Sequence, residues 1–115
     1  MVAYNRLMSN DDKVFKALAD SSRRQLLDQL RENSGLTLNE LCEGHDISRQ
    51  AVTRHLAVLE EANLVTTQWR GREKLHYLNT IPINEIYTRW IGKFERGRLR
   101  ALDNLKQALE DNPNE

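Results

Sequence analysis

The sequence predicts a mainly α-helical protein with one small β-hairpin, in the order α-α-α-α-β-β-α. Apolar residues recur at helical spacing before residue 62 and again after residue 83. Between these regions, residues 65–78 hold two β-branched and aromatic runs on either side of Gly71, the pattern of two strands and a short turn. We expect a domain over residues 13–110, a loose N-terminal arm over 1–12 and a C-terminal tail over 111–115.

Composition excludes several classes of protein. The chain has 115 residues, of which 39% are hydrophobic and 30% charged, which suits one globular domain with a modest core. No apolar run is long enough to span a membrane, and the first six residues lack the apolar core of a signal peptide. The single cysteine, Cys42, cannot form an internal disulfide. We therefore expect a cytoplasmic protein without a membrane partner.

Capping signals divide the first half of the chain into four helices. Asn10 stands before two acidic residues, and Ser48 stands before an apolar helical stripe. Ser22–Gln25 and Thr37–Glu40 have the form of capping boxes. Gly35 is placed to cap the end of the second helix. The short third helix, a tight connection and the fourth helix form a helix-turn-helix unit, and the hairpin over 65–78 forms a wing behind it.

The fourth helix has one face that suits a DNA duplex. Val52, Leu56 and Leu59 define its buried stripe, so the residues between them lie on the other face. Arginine can bond guanine, glutamine can bond adenine, and threonine can contact a thymine methyl group or a phosphate. The N-terminal half of such a helix is the part that enters the major groove. The predicted DNA-binding residues of this helix are Ser48, Arg49, Gln50, Thr53, Arg54 and, more weakly, His55.

The hairpin turn adds a cationic tip. Arg70, Arg72 and Lys74 stand there against the single acid Glu73, so the tip can reach phosphates or the minor groove. We interpret Trp69 as packed under the wing rather than stacked on a sugar. The alternative for both surfaces is a face charged only for solubility, but the helix-turn-helix and wing together favour DNA.

Net charge does not argue against this interpretation. Seventeen Lys and Arg balance seventeen Asp and Glu, but the charges are segregated along the chain. Residues 48–59 carry two arginines and no acid, whereas residues 36–46 carry three acids and no Lys or Arg. A further basic cluster, Arg89–Arg100, lies on the last helix, and we interpret it as a flank of a subunit interface.

The last helix, predicted over about Ile83 to Leu109, carries an apolar stripe that a 115-residue monomer would struggle to cover. We therefore expect a homodimer. Gly92 and Gly97 are poor residues for a helix interior and either allow close approach of another helix or mark a kink. The predicted interface residues of this helix are Ile86, Tyr87, Trp90, Ile91, Phe94, Leu102 and Leu105.

Four stretches resemble the ArsR/SmtB family of winged helix-turn-helix bacterial repressors. They are Phe15–Arg24, Leu38–Leu41, Ile47–Leu59 and the wing with its approach, Ala62–Leu78, within a match over roughly residues 13 to 105. Ser21 stands at the family's usual proline and Asn63 at its usual glycine.

The resemblance implies a homodimer that pairs its first and last helices across a two-fold axis, which adds Val14, Phe15 and Leu18 to the interface. It also implies that two recognition helices read an inverted repeat. The sequence thus predicts a sequence-specific DNA-binding transcriptional regulator: a homodimeric repressor of a double-stranded DNA operator, with the helix from Ser48 in the major groove. The sequence does not identify a small-molecule effector.

Because many members of the family sense metals, the resemblance implies two places where a metal site would lie, one in the first helix of the motif and one on the last helix. Glu40-Leu41-Cys42 matches one site type, but Gly44 stands where a second cysteine is expected, and residues 83–110 contain no His or Cys. The sequence therefore predicts no metal, no cofactor and no catalytic site. Two alternatives stay open, a metal- or thiol-responsive sensor acting through Cys42 and a winged-helix protein-interaction module that does not bind DNA.

Overall fold

The computed structural model describes residues 9–111, and its element order confirms the prediction. The elements are α1 (Asn10–Leu18), α2 (Ser21–Glu32), α3 (Leu38–Glu43), α4 (Arg49–Glu61), β1 (Val65–Arg70), β2 (Glu73–Leu78), α5 (Ile81–Tyr87), a π-helical segment (Thr88–Gly92) and α6 (Lys93–Asp111). The chain forms two compact units that divide between Ile83 and Asn84. The division into domain, arm and tail stays a prediction, although the described helices cross its boundaries at residues 10–12 and at Asp111. Residues 1–8 and 112–115 lie outside the described residues.

Helix α1 begins earlier than the sequence predicts. The hydroxyl of Ser9 accepts a hydrogen bond from the backbone N–H of Asp12 at 3.2 Å, so Ser9 is the N-cap and Asn10 is the first helical residue. The prediction of Asn10 as the cap is therefore wrong by one position. Residues 10–12, which were predicted as part of the loose arm, are helical.

Helix α2 is capped by Asp20 and not by Ser22. The Asp20 carboxylate accepts hydrogen bonds from the backbone N–H groups of Ser22 at 2.8 Å and Arg23 at 3.2 Å. These bonds, first of all that from Arg23, hold the pKa of Asp20 below its ordinary value of 3.8. The capping box predicted at Ser22 is wrong because the carboxylate just upstream already satisfies the first free N–H groups.

Helices α3 and α4 begin where the sequence predicts. Thr37 and Glu40 form a reciprocal capping box, with each side chain accepting from the backbone N–H of the other at 3.2 and 3.0 Å. Ser48 accepts from the N–H of Ala51 at 3.1 Å and starts α4. The two caps therefore fix where each helix of the helix-turn-helix unit begins, and Ser48 also marks the end of the turn between them.

The hairpin pairs β1 with β2 in antiparallel register from Val65–Leu78 to Arg70–Glu73. Gly71, with a φ of +64°, allows the tight turn between the strands. Gly35 also has a positive φ, +78°, but it lies past the actual C-cap, Asn33. Its role is to bring Leu36 beside His76, where the two residues form a β-bridge.

The first unit has one apolar core, to which α1 to α4 and the hairpin all contribute. The predicted inward stripe of α4 is confirmed, since Val52, Leu56 and Leu59 are buried. Burial of each such side chain contributes about 1.5–3 kcal/mol. The largest fully buried side chains are Leu26, Leu30, Leu41, Leu59, Leu64, Val14 and Val52. Val14 has no exposed surface in this core, which contradicts its predicted place at a subunit interface.

Asn63 follows the C-cap of α4 in a left-handed conformation, with a φ of +61°. Asparagine is one of the few residues besides glycine that tolerates this conformation. The departure from the family's usual glycine therefore keeps the sharp turn from α4 into β1.

The second unit contains most of α5, the π-helical segment and α6. The π-helical segment ends at Gly92, which is buried, and a Cβ there would lie 3.4 Å from Nη1 of Arg96. At Gly97 a Cβ would meet nothing within 4 Å, so the irregularity lies at the first of the two glycines. In the described part of the chain, no helix is long and apolar enough to cross a membrane.

Candidate nucleic-acid interface

The outward face of α4 carries the side chains that the sequence predicts. Ser48, Arg49, Gln50, Thr53 and Arg54 are all exposed, and they lie opposite the buried stripe of this helix. They occupy the helix's first two turns, which is the part that a recognition helix presents to base edges. The prediction of their common exposed face is confirmed; their contact with DNA stays a prediction.

Two of these side chains are free to bind. Within residues 9–111, the side chains of Gln50 and Arg54 make no hydrogen bond or ion pair, so a ligand need not displace an internal partner. Thr53 uses its hydroxyl hydrogen on the carbonyl oxygen of Arg49 at 2.9 Å, which leaves its methyl group exposed. The face therefore presents the guanidinium group of Arg54, the amide of Gln50 and the methyl group of Thr53.

Arg49 is held differently. Nη1 of its guanidinium donates a hydrogen bond to Oδ1 of Asn39 on α3. The same two residues line a cleft of about 220 Å³, together with Thr37, Leu38, Arg72, Glu73 and Lys74. The guanidinium of Arg49 is thus engaged between the two helices of the helix-turn-helix unit and the wing.

His55 is half-buried and faces α2. Its Nδ1 lies 3.3 Å from Nη1 of Arg23. Because arginine can only donate, Nδ1 of His55 accepts this bond, and the neutral ring carries its hydrogen on Nε2. The structure therefore gives His55 an internal partner, which leaves only Nε2 for the predicted weak contact with DNA.

The cations of the wing are not equivalent. Nη2 of Arg70 lies 3.5 Å from Oε2 of Glu73, and Nζ of Lys74 lies 3.3 Å from Oε1 of Glu60 on α4. Arg72 makes no hydrogen bond or ion pair within the described residues. Of the three predicted wing contacts, Arg72 is therefore the one whose charge is not already balanced by an acid.

Trp69 is not packed under the wing. Its side chain is 67% exposed, beside Arg70 and across the strand pair from Lys74. The prediction of packing is wrong because Trp69 lies toward the hairpin's turn, where residues 68–73 are all exposed. The tip thus presents an indole ring among three cationic side chains.

The sequence did not predict that Arg23 and Arg24 bond the end of α1. Arg23 donates from Nε to the carbonyl oxygen of Ala17 at 2.8 Å and from Nη2 to that of Lys16 at 3.0 Å. Arg24 donates to the carbonyl oxygen of Leu18 at 2.6 Å. Both side chains donate to carbonyl oxygens in the last turn of α1, where helical N–H donors run out. The carbonyl oxygen of Lys16 also accepts from the backbone N–H of Ala19 at 3.3 Å. The sequence signal for this role was the presence of two arginines a few residues after the end of α1.

Known proteins similar to this chain are helix-turn-helix transcriptional regulators. The model of a helix-turn-helix domain matches residues 18–68, from the end of α1 into β1. An uncharacterized HTH-type transcriptional regulator of Bacillus subtilis, YuzN, is 43% identical over 88 residues, which cover 71% of this chain and 96% of the relative. The transcriptional repressor SdpR of the same organism is 30% identical over 74 residues, which cover 64% and 81%.

A solved structure has the same fold. The ArsR-like transcriptional regulator from Rhodococcus sp. RHA1 superposes with a TM-score of 0.65 at 28% identity, covering 89% of this chain and 92% of that one. The chain belongs to the ArsR family of winged helix-turn-helix transcriptional regulators. The resemblance drawn from the sequence is confirmed, and an ArsR-family member with this architecture is a DNA-binding repressor.

The residues around Cys42 do not form a closed metal site in the described part of the chain. Among the described residues, no three His, Cys, Asp or Glu side chains lie together as a metal site. Cys42 is half-buried, and Nε2 of the nearby His45 is bonded to Oε1 of Gln29 at 2.8 Å. One thiol and one engaged imidazole are too few ligands for a closed site.

Proposed function

We propose that the protein is a homodimeric repressor that reads an inverted repeat, with α4 in the major groove and the 65–78 hairpin as the wing. The observation that carries this proposal is the exposed face of α4, where Gln50 and Arg54 have no partner among the described residues. Both are residue types that bond base edges in bidentate geometry. Binding to chromosomal DNA would place the protein at the bacterial nucleoid.

The wing supports the same proposal. Arg72 supplies an unbalanced positive charge at the hairpin turn, and Trp69 supplies an exposed aromatic surface beside it. Cationic side chains near a recognition helix bind the phosphates that flank the bases being read. The wing therefore adds affinity, and α4 adds discrimination between sequences.

The proposed dimer explains the apolar side chains of the second unit. The large apolar side chains of this unit that are more than a third exposed are Tyr87, Trp90, Ile91, Phe94, Leu99, Leu102, Leu105 and Leu109. A patch of this size on a monomer marks an interaction surface. We assign it to a second copy of the chain, with the half-buried Ile86 and with Phe15 and Leu18 of α1. Val14 is excluded by its burial.

The test compares the affinity of the protein for DNA upstream of its own gene with its affinity for a shuffled duplex. We expect tighter binding to the upstream DNA in fluorescence anisotropy. Arg54→Ala should reduce that preference, because a good bidentate base contact discriminates by about 1–3 kcal/mol. Arg31→Ala is the matched control, since Arg31 is exposed on α2 and paired with Glu32.

Two outcomes would redirect the proposal. Equal and salt-insensitive binding to both duplexes would favour the protein-interaction module. A change in affinity after peroxide or arsenite treatment that Cys42→Ser abolishes would favour the thiol-responsive regulator. Neither outcome is expected.

A further inference from the structure

The two arginines of the recognition helix differ in their surroundings, because Arg49 lines a cleft between α3, α4 and the wing and Arg54 does not. Arg49 and Arg54 are both exposed on α4, but only Arg49 is bonded to another element, through Oδ1 of Asn39. Its guanidinium is therefore oriented by α3, whereas that of Arg54 is free within the described residues. The sequence alone treats them as equivalent base readers.

The cleft carries excess positive charge. Arg49, Arg72 and Lys74 line it, and Glu73 is the acid among its lining residues. Glu73 is already paired with Arg70, and Lys74 is drawn to Glu60, so Arg49 and Arg72 are left without an acidic partner among residues 9–111. Two guanidinium groups on either side of a polar cleft suit a phosphate, which accepts bonds from both.

We infer that Arg49 binds a backbone phosphate of the duplex in this cleft, together with Arg72, and that Asn39 is the positioning residue that holds Arg49 there. Base reading is then left to Gln50, Thr53 and Arg54. This inference rests on the proposed function, because it requires that the protein bind DNA.

The reason is geometric. A guanine is read when an arginine presents two parallel N–H groups to O6 and N7. Asn39 takes a hydrogen bond from Nη1 of Arg49, and it does so from the side of α3 that borders the cleft. A phosphate imposes a looser requirement, because its oxygens accept from any direction around the group. Such contacts fix register but carry no sequence information.

The experiment measures affinity for the upstream duplex and for a shuffled duplex, across a series of salt concentrations. Arg49→Ala should weaken binding to both duplexes by the same factor and reduce the salt slope by about one. Arg54→Ala should weaken binding to the upstream duplex roughly 5- to 100-fold and leave the shuffled duplex nearly unchanged. Arg49→Lys should keep most of the affinity for both duplexes, since an ammonium group still binds a phosphate.

A double-mutant cycle tests the part assigned to Asn39. Asn39→Ala should weaken binding to both duplexes in the wild-type background and have no effect in the Arg49→Ala background, because it acts through Arg49. An equal effect in both backgrounds would overturn the positioning role. A tenfold loss of preference for the upstream duplex in Arg49→Ala would overturn the phosphate assignment. If the wild type itself showed no preference, the proposed function would fail first.

Discussion

Nη1 of Arg23 lies 3.3 Å from Nδ1 of His55, and this contact joins α2 to the recognition helix. The same guanidinium also bonds two carbonyl oxygens at the end of α1. One side chain thus ties three helices of the first unit together. The position of α4 depends on a residue that does not itself face the proposed DNA surface.

Replacing Arg23 should destabilise the fold. Arg23→Ala removes three hydrogen bonds from a charged donor, two of them to the carbonyl oxygens of Lys16 and Ala17 at the end of α1. We expect a loss of about 2 kcal/mol in the free energy of unfolding, measured by urea denaturation. Arg31→Ala, on the exposed side of α2, should change it by less than about 0.5 kcal/mol. Equal effects of the two substitutions would contradict the tying role.

The cap at Asp20 should make stability depend on pH. Hydrogen bonds from backbone N–H groups, first that of Arg23, lower the pKa of Asp20 in the folded chain below its ordinary 3.8. The charged cap therefore stabilises the fold fully above about pH 3.8, and this contribution is lost as the pH falls through the lowered value. We expect Asp20→Ala to unfold at lower urea concentration than the wild type at pH 7, with a difference that shrinks in acid.

Asp20→Asn is the control for that experiment. Asparagine keeps an oxygen acceptor at the N-cap but has no charge to lose. Its stability should fall between those of the wild type and Asp20→Ala at pH 7, with a weaker dependence on acid than the wild type. A gap between the wild type and Asp20→Ala that stayed constant down to pH 2.5 would show that the carboxylate does not act as the cap.

The turn after α4 should accept glycine and reject a branched side chain. Asn63 has a φ of +61°, and its Nδ2 also donates to Oδ1 of Asn10 at 3.1 Å. In Asn63→Gly the easier backbone conformation offsets the lost surface hydrogen bond, so we expect a change within about 0.5 kcal/mol. Asn63→Val should cost about 1–2 kcal/mol because of its Cβ in the left-handed region. Thermal unfolding of both variants checks this order.

Trp69 should report contact of the wing with DNA. The chain has two tryptophans, and Trp90→Phe leaves the exposed Trp69 as the only indole. If the wing lies on the duplex, saturating DNA should change the emission of Trp69 and protect it from quenching by iodide. If this variant binds DNA without any change in the emission or the quenching of Trp69, the wing does not contact the duplex.

The sequence was sufficient for the fold because local signals agreed with the helical and alternating patterns. Thr37, Ser48 and Gly71 each sit where their chemistry is needed, and the stripe of α4 is buried as predicted. The errors came from competition between neighbouring groups. At the start of α2, Asp20 and Ser22 are both good caps, and only the folded backbone shows which one meets the free N–H groups.

The sequence predicts which residues form the candidate site, but it does not predict which of their side chains are already bonded to other residues. Spacing alone places Arg49 and Arg54 on one exposed face, which the structure confirms. It cannot show that Asn39, ten residues away, engages Arg49, or that Glu60 engages Lys74 of the wing. These contacts join separate elements, so they exist only after the helices and hairpin have packed.

Selection of binding sites from a random-sequence duplex library tests the central claim most directly, because it assumes no operator. A homodimer with two exposed α4 faces should enrich an inverted repeat whose half-sites lie about one helical turn apart, ~34–36 Å. The enriched site should lose its advantage with Arg54→Ala and keep it with Arg31→Ala. Failure of the wild type to enrich any sequence over the starting library would contradict sequence-specific DNA binding by this surface.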